Sequence, residues 1–175
     1  MMKYQTYIFD LDGTLLDSLT DLELSCNYAL RVNGMPERSL EEVRMFVGNG
    51  VKKLMERAIP HGLQNPLFDK TYEDFRQHYL VHNLAHTHPY AGIEEMLQHL
   101  IDANKHIAVV SNKFYAATQD LVRYFFGEKI QVAIGERVNI RKKPAPDTVN
   151  EALRLLGVSR ENSVYIGDSD VDIMT

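Results

Sequence analysis

The sequence predicts an α/β fold: a parallel sheet with helices on both faces and a helical segment inserted after the first strand. Three observations carry that reading. Short runs rich in Val, Ile, Tyr and Phe alternate with amphipathic helical patterns. One long stretch after the first run lacks strand character. Acidic and polar residues follow directly on the apolar runs, where an open α/β sheet places its ligands.

The strands are read at Thr6 to Phe9, Ile107 to Val110, Gln131 to Ile134 and Ser163 to Ile166. They are brief and almost continuously apolar, as strands covered on both faces must be. Between them, Ile93, Met96, Leu97, Leu100 and Ile101 recur at helical spacing, as do Leu121, Val122 and Phe125 before Gly127. Val149, Ala152, Leu153 and Leu156 form a further helix, which Gly157 stops. Residues 16–88 contain no strand in this reading. They hold helices at about 18–32, 40–47, 51–58 and 71–85, separated by turn signals at Asn33-Gly34, Gly48-Asn49-Gly50 and Pro60-His61-Gly62. The expected division is an α/β core of residues 1–15 and 89–175 with a helical insert at 16–88.

Composition narrows the function. The 175 residues carry 19 Lys and Arg against 24 Asp and Glu, a net charge of −5, so the chain lacks the basic surface of a nucleic-acid binder. Hydrophobic residues at 45% suffice for a core without disulfides or metal staples. The one cysteine, Cys26, lies on an apolar helical face and reads as core. No apolar run approaches the ~18 residues of a membrane span, and a cytoplasmic protein that binds neither nucleic acid nor membrane is expected. His78, His82 and His86 recur every fourth residue, but this spacing also fits an ordinary helix face, which is the preferred reading.

The chemistry lies at the strand ends. Asp10-Leu11-Asp12-Gly13-Thr14 follows the first strand, Ser111-Asn112-Lys113 the second, and Gly167-Asp168-Ser169-Asp170-Val171-Asp172 the fourth. Lys143-Pro144 falls between the third strand and the next helix. Several carboxylates on one rim require a positive centre, and hard oxygen donors select Mg2+, which shares its remaining positions with water and a phosphate. Lys143, the Ser111 hydroxyl and backbone N–H groups around Leu11, Asp12 and Asn112 would cradle a phosphoryl group. Asp10 is placed to attack phosphorus and form an aspartyl phosphate. Asp12, two positions on, would serve as general acid and then general base, while Lys143 would neutralise the transferring group and keep Asp10 ionised.

These four motifs, in this order, resemble those of the haloacid dehalogenase-like phosphohydrolase superfamily. Phe9-Asp10-Leu11-Asp12-Gly13-Thr14-Leu15 with Asp17-Ser18, the insert's Val47-Gly48-Asn49-Gly50, and Lys143-Pro144-Ala145-Pro146-Asp147 resemble its phosphoglycolate phosphatase branch. The resemblance implies a Rossmann-like core with a mobile helical cap. It implies Asp10 as nucleophile, Asp12 as acid/base, and Mg2+ held by Asp10, the Asp12 backbone carbonyl and Asp168, with Asp172 supporting the metal or Lys143. It further implies phosphoryl binding by Ser111 and Lys143, with Thr14 orienting the first loop, and substrate selection by the cap, with Asn49 a candidate. Together with the backbone cradle, the expected phosphate-binding residues are Leu11, Thr14, Ser111, Asn112 and Lys143.

The expected activity is Mg2+-dependent hydrolysis of a small phosphorylated metabolite, phosphoglycolate first, by a monomer or homodimer. The alternatives are phosphoryl transfer between sugar positions, as in β-phosphoglucomutases, and a fragment that binds phosphate without turnover. Dehalogenases of the superfamily lack the second acid, which is present here as Asp12. The chain stops three residues after Asp172, whereas members of the superfamily continue through further core elements. The sequence is therefore expected to be truncated, with the fourth strand left on an uncovered edge.

Overall fold

A computed structural model describes residues 3–175. In chain order the elements are β1 (Thr6–Phe9), β2 (Leu16–Asp17), α1 (Leu19–Val32), α2 (Leu40–Phe46), α3 (Val51–Ala58), α4 (Phe68–His82) and β3 (His88–Pro89). Then come α5 (Ile93–Asp102), β4 (His106–Phe114), α6 (Tyr115–Phe126), β5 (Val132–Glu136), α7 (Asp147–Leu156), β6 (Ser163–Ile166) and α8 (Asp170–Met174). The chain divides into two compact units, one of Met1–Asp17 with His88–Thr175 and one of Ser18–Thr87.

The first unit is built on a parallel four-stranded sheet of order β5-β4-β1-β6. Period-2 alternation sends successive side chains to opposite faces. Phe9, Ile107 and Val109 join Leu97 and Leu100 of α5 and Leu121, Val122 and Phe126 of α6 on one side. Ile8, Ala108, Val110 and Ile134 meet Ala152 and Leu153 of α7 on the other. Burial of both faces explains why the strands lack a polar alternate position. Strand β6 forms one edge of the sheet, and all four of its residues are half-buried.

Two features differ from the sequence reading. Leu16–Asp17 and His88–Pro89 pair as a short antiparallel ladder at the two crossings into and out of the insert, where no strand was expected. Two residues per strand are too few to generate a periodic signal. The second strand also runs past Val110 to Phe114, taking in Ser111, Asn112 and Lys113, which read as loop because they are polar.

The unit of residues 18–87 is helical, with α1 packed against α4. Helix α1 buries Leu22, Ser25, Cys26, Ala29 and Leu30, and burial pushes the Cys26 thiol up to about 12, in keeping with a core role. The Ser39 N-cap of α2 is reciprocal: the Glu42 N–H donates to Ser39 Oγ, and the Ser39 N–H donates to Glu42 Oε2. Asp21, fully buried, accepts from the backbone N–H groups of His86 and Thr87 and from the Thr87 hydroxyl, tying the start of α1 to the returning chain. Helix α4 begins three residues earlier than expected, because buried Phe68 belongs to its apolar face. His78 and His82 stack with ring centroids 4.0 Å apart, with His78 Nδ1 3.0 Å from Ser25 Oγ and His82 Nδ1 2.8 Å from the His78 carbonyl.

Candidate active site

The carboxyl ends of β1, β4 and β6, together with the segment before α7, carry the predicted site residues. Parallel pairing of β1 with both β4 and β6 aligns their ends, and the Asp10 N–H donates to the Ile166 carbonyl. Asp10 therefore leaves the sheet beside the Gly167-Asp168 turn. Gly167 is required there, since a Cβ at this position would sit 2.3 Å from the Asp172 carboxyl carbon.

Asp10 is 8% exposed. Burial pushes its carboxyl up to about 6; the Lys143 ammonium pulls it down, while the charges of Asp172 and Asp12 push it further up. Lys143 Nζ lies 3.0 Å from Asp10 Oδ1, 2.6 Å from Asp172 Oδ1 and 2.8 Å from the Tyr165 hydroxyl. Asp172 Oδ2 accepts from the Ser169 N–H and hydroxyl. Burial works against ionised Asp172, yet the hydrogen bonds from Lys143 and Ser169 outweigh it and hold this carboxyl below the usual range. The Tyr165 hydroxyl is held far above the ordinary phenol range by burial and by the carboxylates of Asp10 and Asp172.

Among the described residues, the His, Cys, Asp and Glu side chains that converge closely enough for a metal are Asp10, Asp168 and Asp172, with one ligand atom from each within 4.8 Å of the others. Three carboxylates beside a single ammonium leave excess negative charge, and an all-oxygen donor set suits a hard divalent cation such as Mg2+. The residues present fit that ion. Asp168 is exposed and accepts from the Thr14 hydroxyl at 3.2 Å, whereas both Asp172 oxygens are already held by Lys143, Tyr165 and Ser169. The Asp12 side chain points elsewhere, its two oxygens accepting from Lys113 Nζ at 2.9 and 2.8 Å.

The remaining residues are placed as follows. The Leu11 N–H, expected in a phosphate cradle, donates to Asp10 Oδ1 at 2.7 Å. The Thr14 hydroxyl is on Asp168, so its visible role is to hold that carboxylate. Ser111 is buried at the rim, its Oγ accepting from the Lys113 N–H. The Asn112 amide donates to the Lys143 carbonyl, and its Oδ1 is buried without a partner. Asn49, in the other compact unit, accepts from the Arg57 guanidinium at 2.7 Å; Arg57 also donates to the Phe46 carbonyl, so it braces that loop. Sequence reasoning assigned no role to Lys113 or Tyr165. Lys113 was visible only as the third residue of a polar tripeptide and Tyr165 only as a strand residue.

A family model described as Haloacid dehalogenase-like hydrolase matches residues 7–175. This chain belongs to that family. Among curated relatives, the phosphoglycolate phosphatase of Aquifex aeolicus is 32% identical over 167 residues, covering 95% of this chain and 76% of the relative. That of Vibrio cholerae is 33% identical, covering 99% and 80%. A crystal structure from Lactobacillus delbrueckii subsp. bulgaricus superposes with a TM-score of 0.92 at 35% identity, covering 99% of this chain and 82% of that one. The haloacid dehalogenase-like chain described here is, with these relatives, a hydrolase of phosphate monoesters. No helix among its described residues is long and apolar enough to cross a membrane.

Proposed function

We propose that this chain is a Mg2+-dependent phosphomonoesterase acting in the cytoplasm, as a monomer or homodimer, on a small phosphorylated metabolite, with phosphoglycolate the first substrate to try. The observation that supports this most is Asp10, buried at the end of β1 with Lys143 3.0 Å away and the carboxylates of Asp168 and Asp172 converging beside it. Asp10 and Asp168 would hold the cation, joined by the Asp12 backbone carbonyl, and Asp172 would chiefly hold Lys143. When bound, the ion would offset the charge of the phosphoryl oxygens and of the clustered carboxylates.

In the first step a carboxylate oxygen of Asp10 attacks phosphorus, the bond to the leaving oxygen breaks, and Asp12, in its protonated form with one of its two Lys113 hydrogen bonds given up, donates its proton to that oxygen. In the second, Asp12 takes a proton from water as the water oxygen attacks phosphorus, and the acyl phosphate bond to Asp10 breaks to release inorganic phosphate. Lys143 and Ser111 hold the phosphoryl oxygens throughout, and burial of Asp10 limits competing attack by bulk water. The insert, with Asn49, is proposed to select the leaving group. Replacing Asp10 by Asn is expected to lower Mg2+-dependent phosphate release from phosphoglycolate by about 10³-fold or more, because no nucleophile remains. Activity within tenfold of wild type would overturn the assignment.

A further inference from the structure

We propose that Lys113 is a positioning residue for the acid/base carboxylate: a buried ammonium that sets the side chain of Asp12 in one place at the rim. The inference rests on the role of Asp12 given above and adds the group that aims it.

Burying an ammonium is costly unless its protons are used, so a buried lysine is held where its partner is well placed. The Lys113 side chain is 1% exposed, and its Nζ reaches both oxygens of Asp12, 2.9 and 2.8 Å away. Bonds to both oxygens fix the rotation of the carboxylate as well as its distance. Asp12 itself sits in the short loop after β1, followed by Gly13 at a φ of 83°.

The backbone that carries Lys113 is itself anchored. Val110 pairs with Ile134 and Phe114 with Glu136, so Ser111, Asn112 and Lys113 bulge from β4 opposite Gly135. A Cβ on Gly135 would lie 2.7 Å from the Lys113 carbonyl oxygen and 2.7 Å from Tyr115 Cα, so only glycine lets β5 approach the bulge this closely. The bulge aims the lysine, and the lysine aims the acid. An ion pair serving the fold alone would need neither a bulge at the rim nor a carboxylate assigned to proton transfer as its partner.

A role in aiming the acid shows itself in the leaving group. An alkoxide needs a proton to depart, whereas p-nitrophenolate departs without one. Lys113→Met is therefore expected to lower kcat/KM for phosphoglycolate by about 10- to 100-fold while lowering it for p-nitrophenyl phosphate by no more than about threefold. Lys113→Arg, which keeps the charge and two donors, is expected to recover most of the loss. Equal losses on both substrates, or no loss on either, would overturn the inference. If Lys113→Met does not fold by circular dichroism, Lys113→Gln, which keeps one N–H donor, is judged by the same ratio. Asp12→Asn, run in parallel, separates the two levels. Full activity of Asp12→Asn on phosphoglycolate would mean that Asp12 is not the acid, whereas its loss beside a wild-type Lys113→Met would sink only the role of Lys113.

Discussion

Two lysines are buried beside the carboxylates of the first loop, and they are used differently. Lys143 is shared: its ammonium faces Asp10, Asp172 and the Tyr165 hydroxyl. Lys113 is concentrated on one carboxylate, reaching both oxygens of Asp12. Sharing divides the benefit unequally. Asp172, with Ser169 as a second donor residue, is held below the ordinary carboxylate range, while Asp10 stays raised to about 6 because burial and two neighbouring carboxylates outweigh its share of Lys143. The shared ammonium thus balances charge across a cluster and leaves room for a cation, whereas the concentrated one fixes geometry.

The comparison breaks first at Lys143. Lys143→Met is expected to reduce phosphate release by about 10²- to 10³-fold on alkyl and aryl phosphates alike, because its charge serves the transferring group whatever leaves. A loss confined to alkyl phosphates would make the two lysines equivalent.

Next comes stability without metal. The folded pKa of Asp10 is raised from 3.8 to about 6, so its contribution to stability is fully present below pH 4 and is lost as pH rises through about 6. Chelator-treated protein is expected to lose up to about 3 kcal/mol over that window by thermal or urea unfolding. Asp10→Asn is expected to flatten that slope, and a slope unchanged by this substitution would place the titrating group elsewhere.

The smallest effect is expected at Tyr165. Its hydroxyl accepts from Lys143 and lies 3.0 Å from Asp172 Oδ1 and 3.1 Å from the Val110 carbonyl, but the two carboxylates hold Lys143 without it. Tyr165→Phe is expected to cost about two- to fivefold in kcat, in line with the loss of one hydrogen bond among several. A loss as large as that of Lys143→Met would show that the lysine is aimed by the phenol rather than by the acids.

Much of the core was legible because its signals are local. The strands at Thr6 to Phe9 and Ser163 to Ile166 end where their apolar β-formers do, at Phe9 and Ile166, and helix 51–58 lies between a glycine and the residues before Pro60. The polar tripeptide Ser111-Asn112-Lys113 was misread as loop for the same reason. Its residues have little strand propensity, and only the neighbouring strands and Gly135 hold them in β4. The two-residue ladder of Leu16 and Asp17 with Pro89 and His88 escaped because it depends on residues more than seventy positions apart meeting at the insert's base.

The sequence by itself determined the fold class and the acids at the strand ends, since periodicity, turn residues and motif order are properties of neighbouring residues. It also determined that Cys26 belongs to a core face. The motifs already paired Lys143 with Asp10 and Asp172; only the tertiary structure decided that Lys113 meets Asp12. Lys143 comes to Asp10 and Asp172, and Lys113 to Asp12 across 101 positions of chain, through parallel strand register and a bulge in β4. Ion pairing depends on distance and burial in space, and separation along the chain carries no record of either.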